Sequence, residues 1–163
     1  MLPFWLVIPG VALAIAFVFN RLFPDTYKSA QHYDWFRRLR RPRWLTFEGA
    51  IPFIWIFIFI CGIASACLVW QVDPSRPIIR GLMAGYVGVE VAILAYMPLL
   101  CGLRSLRVGV IAGASGWLWG SLLTLWVWPL SAWAGVLLLP YVLWSPIGTY
   151  VTWEMLQLNP TEA

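Results

Sequence analysis

The chain has 163 residues, of which 61% are hydrophobic and only 11% charged, and its mean hydropathy is +0.79. Soluble domains are about 25% charged and about 45–50% apolar, so this composition excludes an ordinary soluble domain and points to an integral membrane protein. The net charge of +4 sits mostly in one loop, where it reports topology rather than a nucleic-acid partner.

A membrane helix needs about 20 mostly apolar residues. Five segments qualify, at about 3–23, 50–70, 79–101, 108–128 and 132–156. The expected fold is all-α, a polytopic bundle of five transmembrane helices forming a single domain over 1–163. The first segment lacks a basic leading region, and Asn20-Arg21-Leu22-Phe23 is no small-residue cleavage site, so it reads as a retained helix. The break at 129–131 is only a turn, which makes the fourth and fifth helices an antiparallel pair.

The first loop, 24–49, carries Lys28 and, between Trp35 and Trp44, Arg37, Arg38, Arg40, Arg41 and Arg43, and the third carries Arg104 and Arg107. The second holds Arg76, with Arg80 just inside the next helix, and the fourth has no charge. By the positive-inside rule the odd loops are cytoplasmic, the N-terminus outside and the C-terminus inside. The host is expected to be a bacterial plasma membrane or an internal one such as a thylakoid.

In the third helix Gly81, Gly85, Gly88, Ala92 and Ala95 share one face, and in the fourth Gly109, Gly113, Gly116 and Gly120 do the same. Small residues at this spacing let backbones approach where lipid supplies no hydrophobic force. They suit packing inside the bundle, or a seam with a second copy or another membrane partner; two stripes allow one of each.

Catalytic groups are scarce. His32 lies in the basic loop and reads as a solvated residue, and Cys61, Cys67 and Cys101 lie in apolar segments without metal or redox spacing. No metal or obligatory cofactor is expected. Glu90 is the exception, near the middle of the third helix, where a carboxyl must be neutral, paired or facing a cavity. It is either a functional group or a protonated carboxyl bonded to a neighbouring helix. Twelve tryptophans are present. Those near segment ends (Trp5, Trp35, Trp44, Trp70, Trp128, Trp133) suit interfacial anchoring, whereas Trp55, Trp117, Trp119 and Trp144 lie deeper, as core packing or as stacking faces for a flat apolar ligand.

Several of these residues form an ordered set. Trp35-Phe36, Leu39, Arg41-Pro42 and Trp44 are followed by Ile54-Trp55, Gly62-Ile63-Ala64-Ser65 and Leu68-Val69-Trp70. Pro98 precedes Gly102-Leu103-Arg104, Pro140-Tyr141-Val142-Leu143-Trp144 lies in the fifth helix, and Leu158-Asn159 closes the pattern. This set resembles the TspO/translocator protein (peripheral benzodiazepine receptor) family over nearly the whole chain. The resemblance implies a five-helix bundle, often dimeric, binding tetrapyrroles such as porphyrin and haem in a pocket that opens toward the first loop. Trp55 and Trp144 match the family's pocket tryptophans. Trp44, Trp35, Tyr96, Gly148 and Glu90 complete the expected ligand-binding set, and Arg41, Pro42 and Arg43 form its basic loop cap. Enzymatic activity is not expected beyond the light-dependent porphyrin degradation reported in the family.

The departures are equally specific. The family's W-x-P-P is Trp44-Leu45-Thr46-Phe47 here, its Q-L-x-L-N is Val89-Glu90-Val91-Ala92-Ile93, and its N-x-x-x-W runs from Thr152 to Leu156. No Lys or Arg follows Arg107, so the Tyr-then-base sterol pattern is missing from the fifth helix. Two other classes stay open: an assembly subunit of a larger membrane (pigment–protein) complex, and a transporter gated around Glu90, against which the short chain and lack of inverted repeats argue.

Overall fold

The computed structural model describes residues 3–23 and 30–162, with only the backbone for 30–33. Lys28 and the side chain of His32 therefore lie outside the described residues. Five helices are long and apolar enough to cross a membrane: α1 (Phe4–Leu22), α3 (Ile51–Val72), α4 (Pro77–Gly102), α5 (Leu106–Val127) and α6 (Ala132–Leu158). The remaining helix, α2 (Ala30–Arg38), lies in the first loop, which is thus more structured than the sequence suggested; a 3-10 turn at Glu48–Ala50 leads into α3. The backbone of His32 belongs to α2 rather than to irregular loop.

Helix ends follow local chemistry. Ser105 and Ser131 cap α5 and α6, their side chains accepting from Val108 N (3.4 Å) and Ala134 N (3.3 Å). Pro52 and Pro77 stand in the first turns of α3 and α4, where a missing N–H is harmless. The α4–α5 corner closes on Arg104, whose φ of 47° is left-handed. Its N–H reaches Cys101 O and that of Ser105 reaches Leu100 O, a six-to-one helix ending. Ser105 then opens α5, so one residue ends one span and starts the next.

The five spans form a ring in which α3 packs on α6, α6 on α5, α5 on α4, and α1 closes against α3 and α4. The tightest seams are made by the small residues. An added Cβ on Gly85 would meet Leu123 at 3.0 Å, and one on Gly88 would meet the Trp119 indole at 3.2 Å. On α5 an added Cβ would lie 2.3 Å from Leu100 at Gly109, 2.6 Å from Thr149 at Gly113 and 2.1 Å from Tyr141 at Gly120. Ala92 faces Gly116 across the α4–α5 seam. Of the named glycines, all but Gly81 face a neighbouring helix inside the bundle.

Two buried clusters result. Ile58, Val69, Ile79, Leu82, Val89, Leu123, Val127, Leu138 and Tyr141 fill the bundle. Leu39 of the first loop joins Leu100, Cys101, Leu106 and Met155 at the arginine-bearing end. α1 contributes no buried residue and is the loosest member of the ring.

At the opposite end, Ser75 donates its hydroxyl (2.6 Å) and its amide (3.0 Å) to Asp73 Oδ1. These bonds, helped by Arg76, hold the Asp73 carboxyl below the usual aspartate range. Because the folded value is depressed, the contribution is complete above the unfolded value of about 3.9 and is lost as pH falls through the folded one. Melting curves taken between pH 5 and pH 2 should show an acid loss that Ser75→Ala reduces.

Candidate functional site

The first loop is fastened over the end of the bundle by side chains of α6 and its C-terminal extension. The Trp44 indole donates to Glu154 Oε2 at 2.6 Å and the Trp35 indole to Glu162 Oε2 at 2.7 Å. Asn159 clamps the strand between them. Its Oδ1 accepts from Arg40 N at 2.9 Å, while Nδ2 donates to Arg40 O at 3.0 Å and Met155 O at 2.7 Å. These two tryptophans are thus latches as well as interfacial residues.

Beneath the loop lies an aromatic chain. Trp44 stacks on Tyr150 (centroids 6.0 Å apart), Tyr150 stacks on Trp153 (5.7 Å), and Phe47 tilts against both Trp44 and Trp144 (6.2 Å each). Trp55, from α3, tilts on Tyr141 at 6.4 Å. Trp55 and Trp144 are both half-buried and pack against the same core cluster, along the α3–α6 seam. Phe47 occupies the position of a missing family proline, and it is the residue that covers Trp144.

The other expected site residues are distributed. Arg41 is committed to structure: its Nε is 2.8 Å from Glu48 Oε1, a guanidinium N–H reaches the carbonyls of Arg37 and Leu39, and it lies over the Phe36 ring at 5.2 Å. Pro42 is buried and Arg43 exposed. Tyr96 sits under Leu39 rather than in the aromatic chain, its hydroxyl bonded to Thr152 Oγ1. Thr152 donates its own hydrogen to Gly148 O (3.1 Å), so Tyr96 is the donor of that pair. Gly148 has open space at its α-carbon. Trp117 and Trp119 face outward (39% and 53% exposed) and donate to Val142 O and Gly85 O. Val142 is the carbonyl that Pro146, four residues on, cannot serve, so the Trp117 indole satisfies a defect made by the sequence itself.

Glu90 faces a separate hollow of about 80 Å³ between α1, α3, α4 and α6. Ala12, Ile58, Gly62, Tyr86, Ile93 and Tyr141 are among its walls. Tyr141 therefore has one ring edge on this hollow and a neighbour, Trp55, on the seam. A groove of about 220 Å³ lies between α1 and α4 at Asn20, Leu94 and Pro98. No three His, Cys, Asp or Glu side chains gather into a metal site among the described residues.

A macrocycle tests this arrangement in two ways. Ligand pockets for drug-sized molecules run to about 300–1,000 Å³, so the Glu90 hollow is too small for one. Sandwiching a flat ring between two aromatic faces needs about 7–8 Å, two carbon contacts of about 3.5–4.0 Å. Phe47 and Trp144 stand 6.2 Å apart and tilted, so the residues offer the right surfaces only once Phe47 lifts with the loop. The exposed Arg38, Arg40 and Arg43 lie on that same loop.

Comparison with known proteins agrees with this architecture. A "Tryptophan-rich sensory protein" from Cereibacter sphaeroides is 24% identical over 128 residues, covering 77% of this chain and 77% of its own length. "Protein CrtK" from Rhodobacter capsulatus is 25% identical over 129 residues, covering 78% of this chain and 80% of its own. The profile of the TspO/MBR family matches residues 7–158, from within the first span to the end of the fifth, and the chain is an integral membrane protein belonging to that family.

Proposed function

We propose that the protein is a membrane sensor that binds a tetrapyrrole, or a similar flat lipophile, in the α3–α6 aromatic seam beneath the first loop. The observation that carries this is the interlock of Trp44 and Phe47 with Trp144 and Tyr150, a set of stackable faces on exposed residues of the loop, tied down there by the Trp44–Glu154 hydrogen bond. Stacking adds about 0.5–1.5 kcal/mol per aromatic pair beyond area burial, and it tolerates many flat ligands. Porphyrin propionates would meet the guanidinium groups of Arg38, Arg40 and Arg43 at the rim. The sensory role of the Cereibacter relative fits a site whose occupancy changes the loop.

The structure puts the first loop, Arg104, Arg107 and the C-terminal turn at one end of the bundle and Asp73, Arg76 and Arg80 at the other. The arginine-rich end is cytoplasmic in this proposal, in a bacterial plasma or internal membrane. A homodimer would have to use surfaces other than the two glycine stripes, Gly81 apart.

Titration of protoporphyrin IX, followed by its absorbance, tests the proposal. Trp144→Leu is expected to weaken binding roughly 5- to 10-fold, the equivalent of one stacking face. Trp55→Leu should act in the same direction. Unchanged affinity in both variants sinks the seam as the site.

A further inference from the structure

Glu90 takes no part in the aromatic seam or the loop latch. Its side chain makes no hydrogen bond or ion pair, and its Oε1 is the single buried side-chain oxygen or nitrogen without a partner among the described residues. The hydroxyls around it are already engaged. Ser65 gives its hydrogen to Ala134 O (2.7 Å), so Tyr86 must give its own to Ser65 Oγ (2.6 Å). The Tyr141 hydroxyl lies on the α5 side, 3.2 Å from where a Cβ of Gly116 would be. No basic side chain lines the hollow. Arg80, the nearest on the same helix, is about 15 Å away along the axis.

A carboxyl in the hydrocarbon region without a donor is strongly disfavoured, and no described residue supplies one here. The hollow beside it is apolar, about 80 Å³ in size, and closed on one side by Ala12 of the loosely packed α1. That is room for a few heavy atoms rather than for a macrocycle. Porphyrin propionates carry the same charge as a carboxylate, so they are the wrong chemistry for this position.

We propose that the hollow between α1, α3, α4 and α6 receives the amino head of a lipophilic primary or secondary amine, hydrogen-bonded to Glu90, with the tail leaving along α1. An ammonium on a carboxylate and an amine on a carboxylic acid are both neutral overall and both keep an N–H or O–H hydrogen bond between the two groups. The bilayer therefore tolerates the pair in either proton arrangement. An alcohol offers a donor without the basic nitrogen, and a quaternary ammonium offers charge without a hydrogen to give. Glu90 itself lies outside the aromatic chain of the seam, while Tyr141 borders both the hollow and Trp55.

The test uses the full chain in nanodiscs of neutral phosphatidylcholine, with octylamine, 1-octanol and octyltrimethylammonium as probes. The readout is the saturable rise in melting temperature by circular dichroism. Octylamine is expected to half-saturate at a concentration about tenfold or more below either other probe, and Glu90→Gln is expected to erase that preference. Gly62→Leu provides a second variant. An added Cβ at Gly62 meets nothing within 4 Å, so its branched side chain fills the hollow and should block octylamine while Glu90 remains. The proposal is overturned if octanol matches octylamine in the unmodified protein, or if Glu90→Gln keeps the preference. Should Glu90→Gln not fold, unaltered octylamine binding by Gly62→Leu overturns it alone.

Discussion

Gly120→Ala is expected to destabilise the bundle by about 3 kcal/mol, or to prevent its assembly, through a single added methyl group. The new carbon would stand 2.1 Å from Tyr141 Cε1 and 2.6 Å from Cδ1, well inside any contact the ring can absorb. Tyr141 is 5% exposed and packs against Trp55 at 6.4 Å, so its ring can yield only by moving into the Glu90 hollow and giving up that packing. In lipid, moreover, the displaced α5 gains nothing from hiding apolar surface, because its side chains are as well solvated by acyl chains as by neighbours. Close packing is what holds α5 to α6. Gly81→Ala is the internal control, for its Cβ meets nothing within 4 Å and alanine is the better helix former. Thermal unfolding in mild detergent should show a large loss for the first variant and none for the second. The reverse pattern would mean that the stripes act at an outer surface rather than inside the bundle.

Asn159→Ala should release the first loop. One side chain there makes three hydrogen bonds, two of them to the backbone of Arg40 across 119 residues of sequence. At about 0.5–1.5 kcal/mol each, discounted because the Arg40 side is exposed, their loss comes to roughly 2 kcal/mol of local stability. That raises the open population of the loop more than tenfold, since about 1.4 kcal/mol is a factor of ten. Trypsin reads it directly, because Arg38, Arg40 and Arg43 lie exposed in the segment that would open. Cleavage there should accelerate by at least that factor while the helical signal persists. Protoporphyrin should also bind and leave faster, as Phe47 rides on the same loop. Unchanged proteolysis would show that buried Leu39 and the two tryptophan latches hold the loop without the Asn159 clamp.

Much of this architecture was legible beforehand, and what escaped did so for definite reasons. The five spans differ from their expected bounds by at most two residues at either end, because length and apolarity against the bilayer set them and neither depends on partners. The glycine stripes were equally visible, but a stripe names a face and not the surface it meets; Trp119, Leu123, Thr149 and Tyr141 come from other helices. α2 was missed because its residues are polar and its apolar contacts are few and distant. The pairing of Trp117 with the carbonyl left over by Pro146 has a signal in the sequence, the proline. Which of twelve tryptophans answers it depends on how α5 and α6 are rotated.

By itself the sequence determined that this is a five-span all-α membrane protein with most of its arginines gathered at one end, since hydropathy and charge placement act residue by residue and need no neighbours. Only the tertiary structure decided that Trp55 and Trp144 pack against one buried cluster, with Phe47 against Trp144, and that Glu90 opens onto a hollow where no described residue gives it a hydrogen bond. The physical reason is that such meetings depend on the rotation and crossing of whole helices, which are set by close contact at Gly85, Gly88, Gly109 and Gly120 acting together.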